Sequence, residues 1–226
     1  MKNTKINISL LVEGEKFLKI LDKYDSEAVN AVSNTEQELL QKYNNFTNDI
    51  LIYAKRIADD HIFFLNNEIR AMFGHLADYR ANNDNDSKAN LHDAYTHFRR
   101  LNIDIFKVLC DEFDKFCLMV LERYYHYDFR NLRQDFLEDY AVKYFSAKQK
   151  YEDAKHEENV GSNRKNNLVS FYYKAVYSYV EAFKFYQEHE KKIKNTKKKQ
   201  KRKYIFDASI AFIGLVLSVV EAIFGV

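Results

Sequence analysis

The sequence predicts an all-α protein: an up-down bundle of long helices carrying one C-terminal transmembrane helix. Three observations point there. The 226 residues contain no proline and only five glycines, so the two residues that most often end helices are scarce. Apolar side chains recur at three- and four-residue spacing along most of the chain, and no segment alternates as a strand would. Finally, a mostly apolar stretch, 204–226, follows directly on a run of lysines and arginines. With 17 Tyr, 18 Phe and no Trp, the core should pack through large aromatic rings.

Taken in order, residues 12–23 predict a short amphipathic helix and 25–34 a second short helix or turn. From Thr35 to Arg80 the apolar positions (Leu39, Leu40, Tyr43, Phe46, Ile50, Tyr53, Ile57) keep helical spacing, with soft spots expected at Asn44–Asn45 or Asp59–Asp60. Asn82–Ser87 is the clearest loop, and Asp86 or Ser87 is a suitable N-cap for a helix running to His126. A third long helix is expected over 128–158, then a loop around Gly161. The last helix starts near Arg164 and can continue unbroken through the basic run. Long helices with short connections make an up-down bundle the natural arrangement.

Charge divides the chain into three parts: a helical domain over 1–190, a basic collar over 191–203 and an apolar tail over 204–226. The collar holds nine Lys/Arg and no acid, and the tail holds Asp207 and Glu221 and no base. Residues 1–190 therefore carry 26 basic and 31 acidic groups, a net of −5. A DNA-binding domain would spread positive charge over a face, so no DNA partner is expected. A collar confined beside apolar sequence instead suits lipid headgroups, through Lys197, Lys198, Lys199, Lys201, Arg202 and Lys203. The expected location is the cytoplasmic (inner) membrane, single-pass, with the N-terminal domain in the cytosol. Cys110 and Cys117, seven residues apart on a helix, lie too far from each other for a disulfide and read as buried thiols.

Within the tail, Asp207, Ala211, Gly214, Ser218, Glu221 and Gly225 repeat at heptad spacing, and each is small or acidic. Such a stripe lets helices approach closely and places both acids on one face. It predicts a homo-oligomer, with a pore or a simple anchor as the two outcomes.

Two Arg-x4-His pairs stand in the first long helix, Arg56–His61 and Arg70–His75. Across the loop, Asp93, His97, Arg100 and Asp104 share a stripe, and antiparallel packing would bring them towards Glu68, Arg70 and His75. These residues read first as a satisfied polar network inside the bundle, with RNA cleavage and ligand binding as alternatives. No phosphate loop, zinc motif or nucleophile triad is present, and no cofactor is expected.

Over roughly residues 60–110 the sequence resembles the HEPN superfamily of helical bundles, on the strength of Arg70-x4-His75 followed by the His97/Arg100 stripe. Its ribonuclease members pair an Arg-x4–6-His motif across a dimer and cleave RNA without metal. The resemblance implies that Arg70 would stabilise phosphate and His75 would serve as general acid/base. Here Ala71 follows the arginine, where active members carry a polar residue. Variants joined to membrane helices resemble accessory proteins of bacterial antiviral and CRISPR loci. The resemblance therefore implies a self-associating membrane effector or a membrane-tethered ribonuclease, with a partner protein or RNA encoded nearby.

Overall fold

The computed structural model of the chain describes residues 14–58, 63–81, 86–125, 136–160 and 167–224, with backbone alone at 14, 15, 86 and 213–224. Every described element is a helix, and no strand occurs among the described residues. Two short helices come first, α1 (Gly14–Leu21) and α2 (Ser26–Asn30). Asp25 caps α2, its carboxylate accepting from the N–H groups of Glu27 at 3.0 Å and Ala28 at 2.9 Å. Thr35 caps α3 (Glu36–Lys42) by accepting from the Glu38 N–H at 3.2 Å, while the Glu38 carboxylate accepts from the Asn34 N–H at 3.0 Å.

A π turn, Tyr43–Thr47, joins α3 to α4 (Asn48–Ile57). It contains Asn44–Asn45, where the sequence places a soft spot. The turn brings Thr47 into the core, where its hydroxyl donates to Asn102 Oδ1 at 2.9 Å alongside the Tyr24 hydroxyl at 3.1 Å. The other expected soft spot, Asp59–Asp60, lies outside the described residues, as do the connections at 82–85, 126–135 and 161–166.

Four long helices make the bundle: α5 (Phe63–Ala81), α6 (Asp86–Tyr124), α7 (Phe136–Val160) and α8 (Leu168–Phe224). The expected cap residue Asp86 is already the first residue of α6. Contacts fix the directions. Phe106 meets Tyr173 and Phe116 meets Phe183, so α6 and α8 run parallel. Phe136 meets Phe185 and Tyr151 meets Tyr172, so α7 runs against α8. Glu68 meets His97 while Phe64 and Val108 line one cavity, so α5 runs against α6. Helices α5 and α6 form one hairpin and α7 and α8 another, with α6 and α8 as the seam. The short helices α1 and α2 pack on α8, and α4 packs on α1 and α6.

The core is aromatic, as the composition requires. Tyr140, Tyr144, Tyr172, Tyr179, Phe113 and Phe116 are fully buried. Buried phenols need acceptors, and α6 supplies some of them. Tyr179 donates to Asp114 at 2.8 Å and Tyr151 to Asp111 at 2.7 Å. Cys110 and Cys117 are both buried and unbridged. Burial raises the Cys117 thiol to about 12, which makes it an apolar filler.

The expected transmembrane helix is corrected. Among the described residues no helix is long and apolar enough to cross a membrane. The expected single-pass location at the cytoplasmic membrane therefore finds no spanning segment among the described residues. The helix itself does run unbroken from Leu168 to Phe224.

Candidate functional site

Two arrangements carry candidate chemistry: a histidine pair in the α5–α6 hairpin and the distal half of α8. On α5, Glu68 and His75 are seven residues apart, two helical turns, and so share the face that carries buried Leu65, Met72 and Leu76. That face looks at His97 on α6. His97 Nδ1 lies 2.7 Å from Glu68 Oε2, with the two side chains 22% and 21% exposed. A carboxylate acceptor at Nδ1 holds a proton on that nitrogen and fixes the orientation of the ring. The His75 ring stacks on His97, with centroids 5.3 Å apart and planes 17° apart. His75 Nδ1 is buried, and no described group bonds to it.

The remaining sequence candidates do not join this cluster. Arg70 is exposed. Five residues from His75, it is displaced by about 140° around the helix, so the Arg-x4-His pair is split between two faces. Asp93 and Arg100 are exposed as well. Arg56 is exposed, and its partner His61 lies outside the described residues. Asp104 is partly buried beside a cavity of about 410 Å³ that Lys107, Asp111 and Lys115 also line. Burial raises the Asp104 carboxyl, Lys107 and Arg100 oppose the shift, and Glu68 and Glu158 add to it. The charged groups lining this cavity have partners: Lys107 bonds Glu158 at 2.6 Å and lies 3.8 Å from Asp104, Lys115 bonds Glu112 at 2.6 Å, and Asp111 accepts from Tyr151. Among the described residues no group of three or more His, Cys, Asp or Glu is placed to hold a metal.

The second arrangement is a projecting helix. The last buried residue of α8 among those described is Ile193. Beyond it Lys198, Lys199, Lys201, Arg202 and Lys203 are exposed, while Lys197 lies over the Tyr124 ring at 5.6 Å. Then come Tyr204, Ile205, Phe206, Ile210 and Phe212, each 55–71% exposed. At 100° per residue these five fall on both sides of the helix. From the heptad stripe, Asp207 and Ala211 are exposed, the side chains of Gly214, Ser218 and Glu221 are not described, and Gly225 lies outside the described residues.

Sequence reasoning missed a third feature. Leu121 of α6, Tyr125 just past its end, and Leu137, Ala141 and Phe145 of α7 line an apolar groove of about 690 Å³, edged by Glu122 and Glu138. Leu118 and Val142 beside it are also exposed. One signal was available. Helix α7 buries Tyr140, Tyr144, Ala147 and Tyr151 on one face, so Val142 and Phe145 form a second apolar face that the bundle does not need. Compared with protein-family models, with curated proteins and with solved structures, the chain matches none.

Proposed function

We propose that the chain is a self-associating helical protein that acts by assembly, with the distal half of α8 as its working part. One observation carries the reading: α8 continues past Ile193 as an exposed helix that presents Tyr204, Ile205, Phe206, Ile210 and Phe212 to solvent. An apolar helix surface of that extent is stable in water only when something covers it. Charge favours a second copy of the chain as the cover. The collar carries nine positive groups, and residues 1–190 carry a net of −5, so the stalk of one molecule is attracted to the bundle of another. The HEPN-like reading of the fold draws support from the long α5–α6 hairpin, in which Glu68 and His75 both meet His97. On this reading those residues serve packing.

Sedimentation of the full chain tests the proposal. An oligomer that dissociates on dilution is expected, and Ile205→Ser, Phe206→Ser and Ile210→Ser combined should turn it into a monomer of unchanged melting temperature. A full chain that stays monomeric at its solubility limit would sink the idea.

The histidine stack favours a second reading, metal-independent RNA cleavage. Two imidazoles in contact, one oriented by a carboxylate, are the groups that general acid/base transphosphorylation requires. Single-stranded RNA incubated with the full chain in EDTA decides it, with His97→Ala and His75→Ala as controls. Cleavage lost in both variants, with their fold intact, would place catalysis ahead of assembly.

A further inference from the structure

We infer that the acid-edged groove between α6 and α7 is the socket for the distal α8 helix of a second copy, so that two chains exchange stalks reciprocally. The inference rests on the self-association reading and names the surface it uses. The groove is apolar at its floor, through Leu121, Leu137, Ala141 and Phe145, and has Glu122 and Glu138 on its lining. The stalk is its complement in both respects, with basic Lys198–Lys203 followed by exposed Tyr204–Phe212. Amphipathic helices commonly dock in apolar grooves in this way.

A chain cannot fill its own groove. Tyr144 meets Tyr179 and Tyr124 meets Lys197, so the groove runs alongside α8 between those two levels. The helix then carries Phe212 about 28 Å beyond Ile193 without a break. A second copy related by a two-fold axis does reach it. With the axis crossing near Thr196, residue 196+n of one molecule lies level with residue 196−n of the other. Tyr204–Phe212 then fall beside Val180–Glu188 of the other copy, within the span of the groove. Lys198–Lys203 fall beside 189–194, the end at which Glu122 and Glu138 sit. The interface is the same patch on both molecules and therefore closes as a dimer.

Full-length chains with single added cysteines test this directly, since Cys110 and Cys117 are fully buried. Phe206→Cys and Ala141→Cys proteins are mixed and treated with a short bismaleimide. A cross-linked dimer is expected in the mixture and not in either protein alone. In parallel, Ala141→Arg should weaken self-association at least about tenfold, because it puts a cation on the groove floor facing a basic stalk. Oligomers that persist with no cross-link and no effect of Ala141→Arg would overturn the groove and leave self-association standing. A monomeric parent chain with no cross-link would overturn both. A cross-link within one monomeric chain carrying both cysteines would also overturn the exchange.

Discussion

The two halves of α8 share one uninterrupted helix and differ in what holds them. From Leu168 to Ile193 the helix is packed: Val169, Tyr172, Val176, Tyr179, Val180 and Phe183 are buried, and Tyr179 is bonded to Asp114. Beyond Ile193 the described side chains are exposed or only half-covered. Nothing intrinsic to lysine-rich sequence favours that second half strongly, since nine like charges repel. It propagates from a nucleus the bundle has already formed, adding one backbone hydrogen bond per residue without a new nucleation cost. Tertiary packing stabilises the first half, and continuity stabilises the second.

The largest test of this contrast is a pair of matched truncations. Phe116 packs its ring 5.0 Å from Phe183 and 5.5 Å from Tyr186 and is 1% exposed. Phe116→Ala should lower stability to urea by about 3–5 kcal/mol. Phe206→Ala, the same chemistry on the exposed half, should leave the unfolding of the bundle within about 0.5 kcal/mol of the parent. Equal losses would break the comparison.

A smaller effect comes from alkaline pH. Burial pushes the phenols of Tyr140, Tyr179, Tyr151 and Tyr172 far up, and the carboxylates that Tyr179, Tyr151 and Tyr172 bond to add to the shift. A folded pKa above the unfolded value near 10 contributes stability that is complete below that pH and is lost as pH rises past it. Urea midpoints should therefore hold to about pH 10 and fall steeply above. The buried phenolates, followed by ultraviolet absorbance, should appear only together with unfolding. The stalk has no buried phenol and should keep its helical signal dependent on the bundle alone.

The smallest effect is at Asp104. Its raised carboxyl means that the folded state prefers the protonated form, so its contribution to stability falls as pH rises through the carboxylate range. Asp104→Asn should stabilise the protein at pH 7 by less than about 1 kcal/mol, with the gain shrinking as pH falls towards 4. A loss of stability at pH 7 would show that the bond from Lys107 outweighs the burial of the charge.

The fold was legible because its signals are repetitive. Scarce helix breakers and a 3.6-residue apolar period extend over dozens of residues, and the paired asparagines marked the π turn. The polar cluster was half legible. The i, i+7 spacing brought Glu68 and His75 onto one face, and the antiparallel run of α5 against α6 let His97 meet them. The Arg-x4-His pattern alone does not say which side chains share a face, because five residues on a helix separate them by about 140°. The α6–α7 groove depends on which of two apolar faces of α7 the bundle uses, and that is a property of packing which one helix's sequence does not contain. The expected membrane span has no counterpart among the described residues, where no helix is long and apolar enough to cross a membrane.

Mechanical leverage follows from the unbroken length of α8. From Lys197 to Phe224 the helix is about 40 Å long. A tilt of roughly 10° where Lys197 rests on Tyr124 would sweep its tip through about 7 Å. Run in reverse, a load at the tip arrives at the pivot as a torque multiplied by the same arm. The Tyr124–Tyr186–Phe116 cluster at the base is then the hinge seat, and its aromatic packing sets how stiffly the arm is mounted.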